Sequence, residues 1–219
     1  MRMTEGGGLP AKGAIVARER LSLCDQFHLA FVDHALLRVW WHNTEEIAPG
    51  VWRSNQPGRK RVQRWKKMGI RSVVSLRGDL GSPHGKIERA ACAESGLQYS
   101  CTWLSGTRAP GREVLLELVE LFRTVERPFI MHCKSGADRT GLASVLYLMV
   151  IEGVPLEQAR KQLSFRFLHV SASAAGVLGH MLDLYARRQA KSAIGIEEWI
   201  ATEYDAQELT RSFARLRDR

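Results

Sequence analysis

The chain predicts an α/β fold, a central parallel-rich sheet flanked by helices, and three observations carry that prediction. Short β-branched or apolar runs at 51–54, 70–76, 97–104 and 128–132 alternate with helix-length segments at 58–68, 86–95 and 113–125, the pattern of strands joined by crossover helices. Gly58, Gly69, Gly96 and Pro128 punctuate the joins, where such residues end one element and begin another. The last strand, Pro128 to His132, runs directly into a Gly-containing loop and then a helix. An open α/β sheet binds ligands at that kind of place, beyond the carboxyl ends of its strands.

The elements follow in order. Residues 1–13 are Gly-rich, and residues 1–20 read as a flexible N-terminal segment. From Leu21 to Trp41, Phe27, Phe31, Ala35 and Val39 recur at helical spacing, predicting a helix packed on the domain. Residues 51–54 form a short strand and 58–68 a basic helix; Ile70 to Leu76 is a buried strand by its β-branched content. Residues 77–85 and 105–112 are loops. After the sheet the chain is helical at 140–152, 155–165 and 173–189, with a polar helix in 196–217. One domain is expected over 21–192, with 193–219 as a C-terminal helical extension.

Composition narrows the function classes. With 219 residues, 45% hydrophobic and 8% aromatic, the chain has the means to build a core and lacks the signature of disorder. Its most apolar stretches are interrupted by Asp33, His34 and Arg38, or by Glu152, short of the ~20 residues of a membrane span. Lys and Arg number 32 against 23 Asp and Glu, a net charge of +9. That balance favours anionic partners: phosphorylated side chains, lipid head groups or nucleic acid. No nucleic-acid partner is expected, because neither a zinc-finger spacing nor an aromatic-basic RNA motif is present; a membrane surface stays open as a partner. Cys24, Cys92, Cys101 and Cys133 lack metal-ligand spacing. The N-terminus lacks a secretion signal's apolar core, so a reducing, cytoplasmic setting is expected, with no metal and no cofactor.

The chemistry concentrates in His132-Cys133-Lys134-Ser135-Gly136-Ala137-Asp138-Arg139-Thr140-Gly141. Such a loop can point successive N–H groups of Lys134, Ser135, Gly136 and Ala137 inward, and the following helix aims its positive end at the same spot. Together they form a cradle for a phosphate dianion. The loop amides, the helix dipole and Arg139 all favour a thiolate at Cys133, which can then attack phosphorus without a separate base. Arg139 can grip two equatorial oxygens at once. Thr140 could donate to the sulfur as it leaves. A bare Cys and Arg at this spacing is weak evidence, but with His132, Gly136, Thr140 and Gly141 added it arises by chance only about once in 100,000 shuffled chains.

These residues resemble the HCxxGxxR[ST]G loop of cysteine-dependent protein tyrosine and dual-specificity phosphatases. Upstream, Val51-Trp52-Arg53-Ser54-Asn55-Gln56-Pro57, Gly69-Ile70 and Ser75-Leu76-Arg77 are similar to the start of bacterial and atypical dual-specificity domains. The resemblance spans roughly 45–190 and implies a tyrosine-phosphatase-like fold, a phosphocysteine intermediate on Cys133 and a phosphorylated protein as substrate. An anionic phospholipid is the alternative.

The general acid departs from the pattern. Many members of the family carry an Asp on a separate loop, and the corresponding residues here, 105–112, hold no carboxylate. Asp138 is the better candidate, since it resembles the Asp of CxxxxDR loops in myotubularins and in bacterial HCxAGKDRTG phosphatases. Its other reading is a cap on the following helix; Asp79 is the more distant acid. His132 is expected to orient the loop. Lys134 contacts a second substrate anion or is simply solvated, Arg108 binds substrate or aids solubility, and Arg77 buttresses the site or is a solvated loop residue. Cys92 and Cys101 read as small core residues. The competing functions are a phospholipid head-group phosphatase, a non-catalytic phosphate-binding module and a rhodanese-like sulfurtransferase, the last opposed by the Arg139-Thr140-Gly141 ending.

Overall fold

The computed structural model describes residues 43–78 and 81–218; the helix expected at 21–41, the N-terminal segment and Asp79 lie outside the described residues. The elements are β1 (Glu45–Ala48), β2 (Val51–Asn55), α1 (Arg59–Lys67), β3 (Ser72–Ser75), α2 (Pro83–Glu94), β4 (Gln98–Cys101), α3 (Arg112–Thr124), β5 (Phe129–Cys133), α4 (Asp138–Val150), α5 (Leu156–Ala159), α6 (Gly176–Gln189), α7 (Ile196–Thr202) and α8 (Ala206–Arg217), with 3-10 turns at Arg160–Gln162 and Phe165–Phe167. The five strands lie in the order β1-β2-β5-β3-β4. Neighbours are parallel except β1, which pairs antiparallel with β2.

The predicted α/β architecture is therefore present, with β5 at the centre and Cys133 at its carboxyl end. Side chains alternate across a strand, and β5 uses both faces. Phe129, Met131 and Cys133 join the larger core with α3, α4, α6 and α7. Ile130 joins the smaller one with Val62, Trp65, Ala91 and Cys92 from α1 and α2. His132, on that same side, stacks obliquely 6.3 Å from Trp65. A strand covered on both faces reads as a continuous apolar run, which is why β5 was visible in the sequence.

Three elements differ from the sequence expectation. Glu45–Ala48 is a strand, although its two glutamates hide any alternation; it is an edge strand, formed because the turn at Pro49-Gly50 (Gly50 φ +72°) folds it back onto β2. The helix expected at 155–165 is helical for only four residues and continues as 3-10 turns. The Gln162 carbonyl accepts from Arg53 instead of a residue one turn ahead. The polar helix expected in 196–217 is two helices, broken where the Asp205 carboxylate caps α8 through the N–H groups of Gln207 and Glu208 at 2.7 and 2.9 Å.

Those last helices share the main core. Ile196, Trp199, Ile200, Tyr204 and Leu209 belong to the same buried cluster as α3, α4 and α6, and the Tyr204 hydroxyl donates to the Pro110 carbonyl at 2.7 Å. Residues 193–218 thus pack as part of one cooperative body. Ile200, 0% exposed, tests this. Ile200→Ala is expected to cost about 2–5 kcal/mol and to shift a single urea transition as a whole. A separate early transition, or no loss, would show that α7 stands apart from the core.

Candidate active site

The loop from Cys133 to Asp138 is shaped by what holds its carbonyls. The Lys134 oxygen accepts from the Gln56 N–H at 3.2 Å, the Ser135 oxygen from the Asn43 side-chain amide at 2.9 Å, and the Gly136 oxygen from an Arg53 guanidinium nitrogen at 2.5 Å. In a trans peptide the N–H points opposite to its carbonyl. Tying down three successive carbonyls therefore turns the N–H groups of Ser135, Gly136 and Ala137 the other way, toward the open side. Gly136 has φ +73°, and a Cβ there would sit 2.8 Å from the Ser54 carbonyl and 2.9 Å from the Asn43 side chain. Only glycine fits so close to β2.

Arg53 is the anchor beneath the loop. It is 0% exposed and lies with its guanidinium 3.5 Å from the centre of the Phe167 ring. Its other terminal nitrogen donates to both the carbonyl and the side-chain oxygen of Gln162 at 2.7 Å. Burial pulls its guanidinium down to about 10, against the opposing pull of Cys133 and Glu45; the side chain remains a cation through the neutral range. Gly141 completes the fit, because a Cβ there would meet Leu163 at 2.7 Å and the Gln162 carbonyl at 2.9 Å. The two loop glycines thus serve one purpose each: Gly136 brings the loop onto β2, and Gly141 brings Gln162 to Arg53.

The structure places the predicted site residues along this frame as follows. Cys133 is buried at the base, 1% exposed. Ser135 is exposed at the rim, where its hydroxyl accepts from the Ala137 N–H at 3.3 Å. Lys134 is half-buried. Arg139 is half-buried in the first turn of α4, and Gly106 lies against it with 3.6 Å from its Cβ position to Arg139 Nε. Thr140 is fully buried, and its hydroxyl has no hydrogen-bond partner. Arg108 is exposed; its N–H bonds the Ser105 hydroxyl at 3.0 Å, while its side chain lines a groove beside the loop.

Asp138 is the first residue of α4, but its side chain does not cap the helix. Its carboxylate instead meets His169 Nδ1 at 2.8 Å. His169 is 2% exposed and is delivered by a left-handed turn at Leu168 (φ +65°). The sequence reading missed it, because a His thirty-one residues downstream in an irregular segment has no spacing signature. Nor did it find Arg53 as a site residue, or Glu88. His132 meets the carboxylate of Glu88, which is 1% exposed. Glu88 in turn accepts from the Gln56 amide at 2.8 Å, and Gln56 accepts from Arg77 at 2.8 Å. Arg77 therefore reaches the site through a relay of Gln56 and Glu88 that ends against His132 Nε2, whose Nδ1 lies 3.4 Å from the Cys133 carbonyl.

With this geometry in view, the comparisons with known proteins are specific. The family model described as the tyrosine phosphatase family matches residues 98–161, a span that contains the loop. The fold is that of the cysteine-based tyrosine and dual-specificity phosphatases. The dual specificity protein phosphatase TpbA of Pseudomonas aeruginosa is 28% identical over 123 residues, covering 55% of this chain. The chain spans about half the length of that curated relative (53%). A crystal structure of P. aeruginosa TpbA, a cysteine-to-serine variant in complex with phosphotyrosine, superposes with a TM-score of 0.53 at 19% identity, covering 80% of this chain and 96% of that one. The core catalytic domain of a PP-IP phosphatase from S. cerevisiae superposes with a TM-score of 0.51 at 17% identity, covering 69% and 93%.

Of the other thiols among the described residues, Cys92 belongs to the smaller core as expected, whereas Cys101, expected there too, is only half-buried at the end of β4, a strand at the sheet edge. Burial, reinforced by Glu88, pushes the Cys92 thiol up to about 12, and the same two causes raise Cys101. Both stay protonated at pH 8, so iodoacetamide at that pH is expected to leave them intact and to modify Cys133, with inorganic phosphate protecting it. Mass mapping that found Cys92 alkylated first would contradict this assignment. The anchor has its own test. Arg53→Lys loses the fork that holds Gly136 and Gln162 together, and inorganic phosphate affinity, read by calorimetry, is expected to fall at least tenfold, about 1.4 kcal/mol. Equal affinity would mean that the loop keeps its shape without Arg53.

Proposed function

We propose that this protein is a phosphomonoester hydrolase working through a phosphocysteine intermediate on Cys133, with phosphotyrosine or dual-specificity protein substrates. The observation that supports the reading best is the loop whose carbonyls are tied down from beneath. It turns the Ser135 and Gly136 N–H groups to the open side, with the Ala137 N–H held by the Ser135 hydroxyl, beside the α4 terminus, an arrangement suited to a phosphate dianion. The phosphotyrosine bound in the TpbA structure and the dual-specificity name of that relative support the substrate class.

The chemistry follows from these groups. The Cys133 thiolate attacks phosphorus in line with the ester oxygen, forming the P–S bond as the P–O bond breaks. Arg139 and the loop N–H groups hold the equatorial oxygens, and more strongly as charge spreads over them. Asp138, as the neutral acid, gives its proton to the departing oxygen. Water then attacks the phosphocysteine, Asp138 takes the proton, and the P–S bond breaks to release phosphate and the thiolate. The unspent hydroxyl of Thr140 suits a donor to the sulfur at that moment. His169 serves as the positioning residue. Donating from Nδ1, it occupies one Asp138 oxygen and leaves the other for the substrate.

A second reading, a phosphoinositide or other phospholipid head-group phosphatase, is favoured by the net charge of +9 and by the fold shared with the PP-IP phosphatase. Lys134 at the rim would then meet the second anion. A non-catalytic phosphate-binding module would have no use for an acid held beside the loop. The three free thiols among the described residues suit a reducing, cytoplasmic setting, which we propose along with the activity.

The deciding experiment is hydrolysis of a small aryl phosphate with EDTA present. Wild-type turnover is expected, with none in Cys133→Ser and a fall of about 10²-fold or more in Asp138→Asn. Full activity in Cys133→Ser would overturn the mechanism; full activity in Asp138→Asn would move the acid elsewhere, with Asp79 next. The same assay across pH reads His169. His169→Ala should lower kcat and alter the limb of the pH profile that depends on the acid, while His169→Asn, whose amide can donate from nearly the same place, recovers part of both. Identical profiles in all three would remove His169 from the mechanism.

A further inference from the structure

A second feature beside the loop has no place in phosphate chemistry. A groove of about 640 Å³ runs between residues 107–109, the start of α6 at Ala174 and Val177, and one face of α8. Its floor is apolar, made by Ala109, Val177, Phe213 and Ala214, and its rim carries Arg108, Arg211 and Arg217, with no acidic side chain lining it. The volume falls in the range of ligand-binding clefts. Phe213 is fixed in the floor, its ring 5.8 Å from that of His180 and close against Gly176.

The groove adjoins the cradle on two sides. One wall follows directly from Gly106, which lies against Arg139. The opposite wall begins five residues after His169, which holds Asp138. Arg108 is two residues beyond Gly106, so a group bound to it lies within a short peptide's reach of the phosphate; four extended residues span about 13 Å.

We propose that this groove binds the polypeptide flanking the phosphorylated residue and selects acidic side chains set among apolar ones. This rests on the phosphatase reading above and adds the substrate's sequence preference to it. Charge complementarity carries the choice. Among the described residues neither Arg108 nor Arg217 has an ion-pair partner, Arg217 instead lying 6.0 Å from the Phe213 ring. Arg211 is shared with Glu208 at 3.1 Å. A lipid surface is the poorer fit. Anionic bilayers are read by dense clusters of four to eight basic residues, whereas α8 keeps Arg211 and Arg215 paired to its own Glu208. Its remaining cation, Arg217, lines a concave, apolar slot that suits two or three side chains.

The test compares synthetic phosphotyrosyl peptides of equal length, with Asp/Glu and Leu flanks, Lys and Leu flanks, or Ser and Gly flanks, against an aryl phosphate that fills the cradle alone. The acidic-apolar peptide is expected to exceed the basic one in kcat/KM by about tenfold or more at low salt. The difference should shrink toward 1 M salt, where the Debye length falls to ~3 Å. Double charge reversal, Arg108→Glu with Arg217→Glu, should invert the order so that the basic peptide becomes the better substrate. An inverted preference cannot arise from partial unfolding, which lowers all substrates together. Equal kcat/KM for the three peptides in a wild type that hydrolyses the aryl phosphate would overturn the groove and leave the phosphatase reading standing. No turnover of the aryl phosphate would instead strike at the phosphatase reading. Phosphoinositide in anionic vesicles hydrolysed faster than any peptide, with the preference lost in the charge-reversed variant, would assign the groove to a lipid and overturn the proposal.

Discussion

A cation buried under the phosphate loop is the constraint on which the rest of this structure depends. Arg53 has no exposed surface, and placing a charge there is costly unless its hydrogen bonds are made. Three of them are, to Gly136 and to the two oxygens of Gln162, with the Phe167 ring closing over the plane. Each partner comes from a different part of the chain. A single side chain on β2 thereby fixes the loop after β5, the turn after α5 and the segment that leads to His169. The irregular backbone at 160–169 is the consequence. A regular helix there would spend the Gln162 carbonyl on itself and leave Arg53 with an unmatched fork.

The sheet divides the work between its faces. β5 sends Cys133 to the face covered by α4 and His132 to the face covered by α1 and α2. The nucleophile's side receives the helix terminus and Arg139; the opposite side receives the relay from Arg77 through Gln56 and Glu88 to His132. That relay holds a carboxylate with almost no exposure in the smaller core; one oxygen accepts from Gln56, and the other faces His132 Nε2 as a charge contact without a formed hydrogen bond. Its effect on chemistry is indirect. It places the imidazole against Glu88 and 3.4 Å from the carbonyl of Cys133.

This division explains which parts of the molecule were legible in the sequence. β5 and the loop could be read because strand, thiol, glycines and arginine are contiguous, and each has a local reason to be what it is. Asp138 stood out because residues 105–112 hold no acid and because its place resembles that of the Asp in CxxxxDR loops, with a helix cap as its other reading and Asp79 as the more distant acid. His169, Glu88 and Gln162 could not, for their contacts join residues 31, 44 and 109 positions apart, and no periodicity marks a partner chosen by the fold. β1 escaped for another reason, being a solvent-side edge strand whose glutamates show no alternation. The split of 196–217 into two helices was hidden as well, because charged residues on the outer face masked the buried Ile196, Trp199, Ile200 and Leu209.

The same C-terminal helices connect architecture to selectivity. α7 is locked into the core through Trp199 and Ile200, and Tyr204 reaches the Pro110 carbonyl at the end of the loop that carries Gly106 and Arg108. Arg112, at the start of α3, donates to the carbonyls of Ala201 and Tyr204 at 2.8 and 2.6 Å. Residues 105–112 are thus tethered at their far end by α7 and the turn that leads into α8, the helix that lines the groove. In a fold where that loop carries the acid, it must be free to close over the substrate. On the reading proposed above, the acid is Asp138 within the loop after β5, and the segment at 105–112 needs no such freedom. On that reading the anchored segment serves as a fixed wall of the proposed peptide groove, with Arg108 lining it together with Arg211 and Arg217.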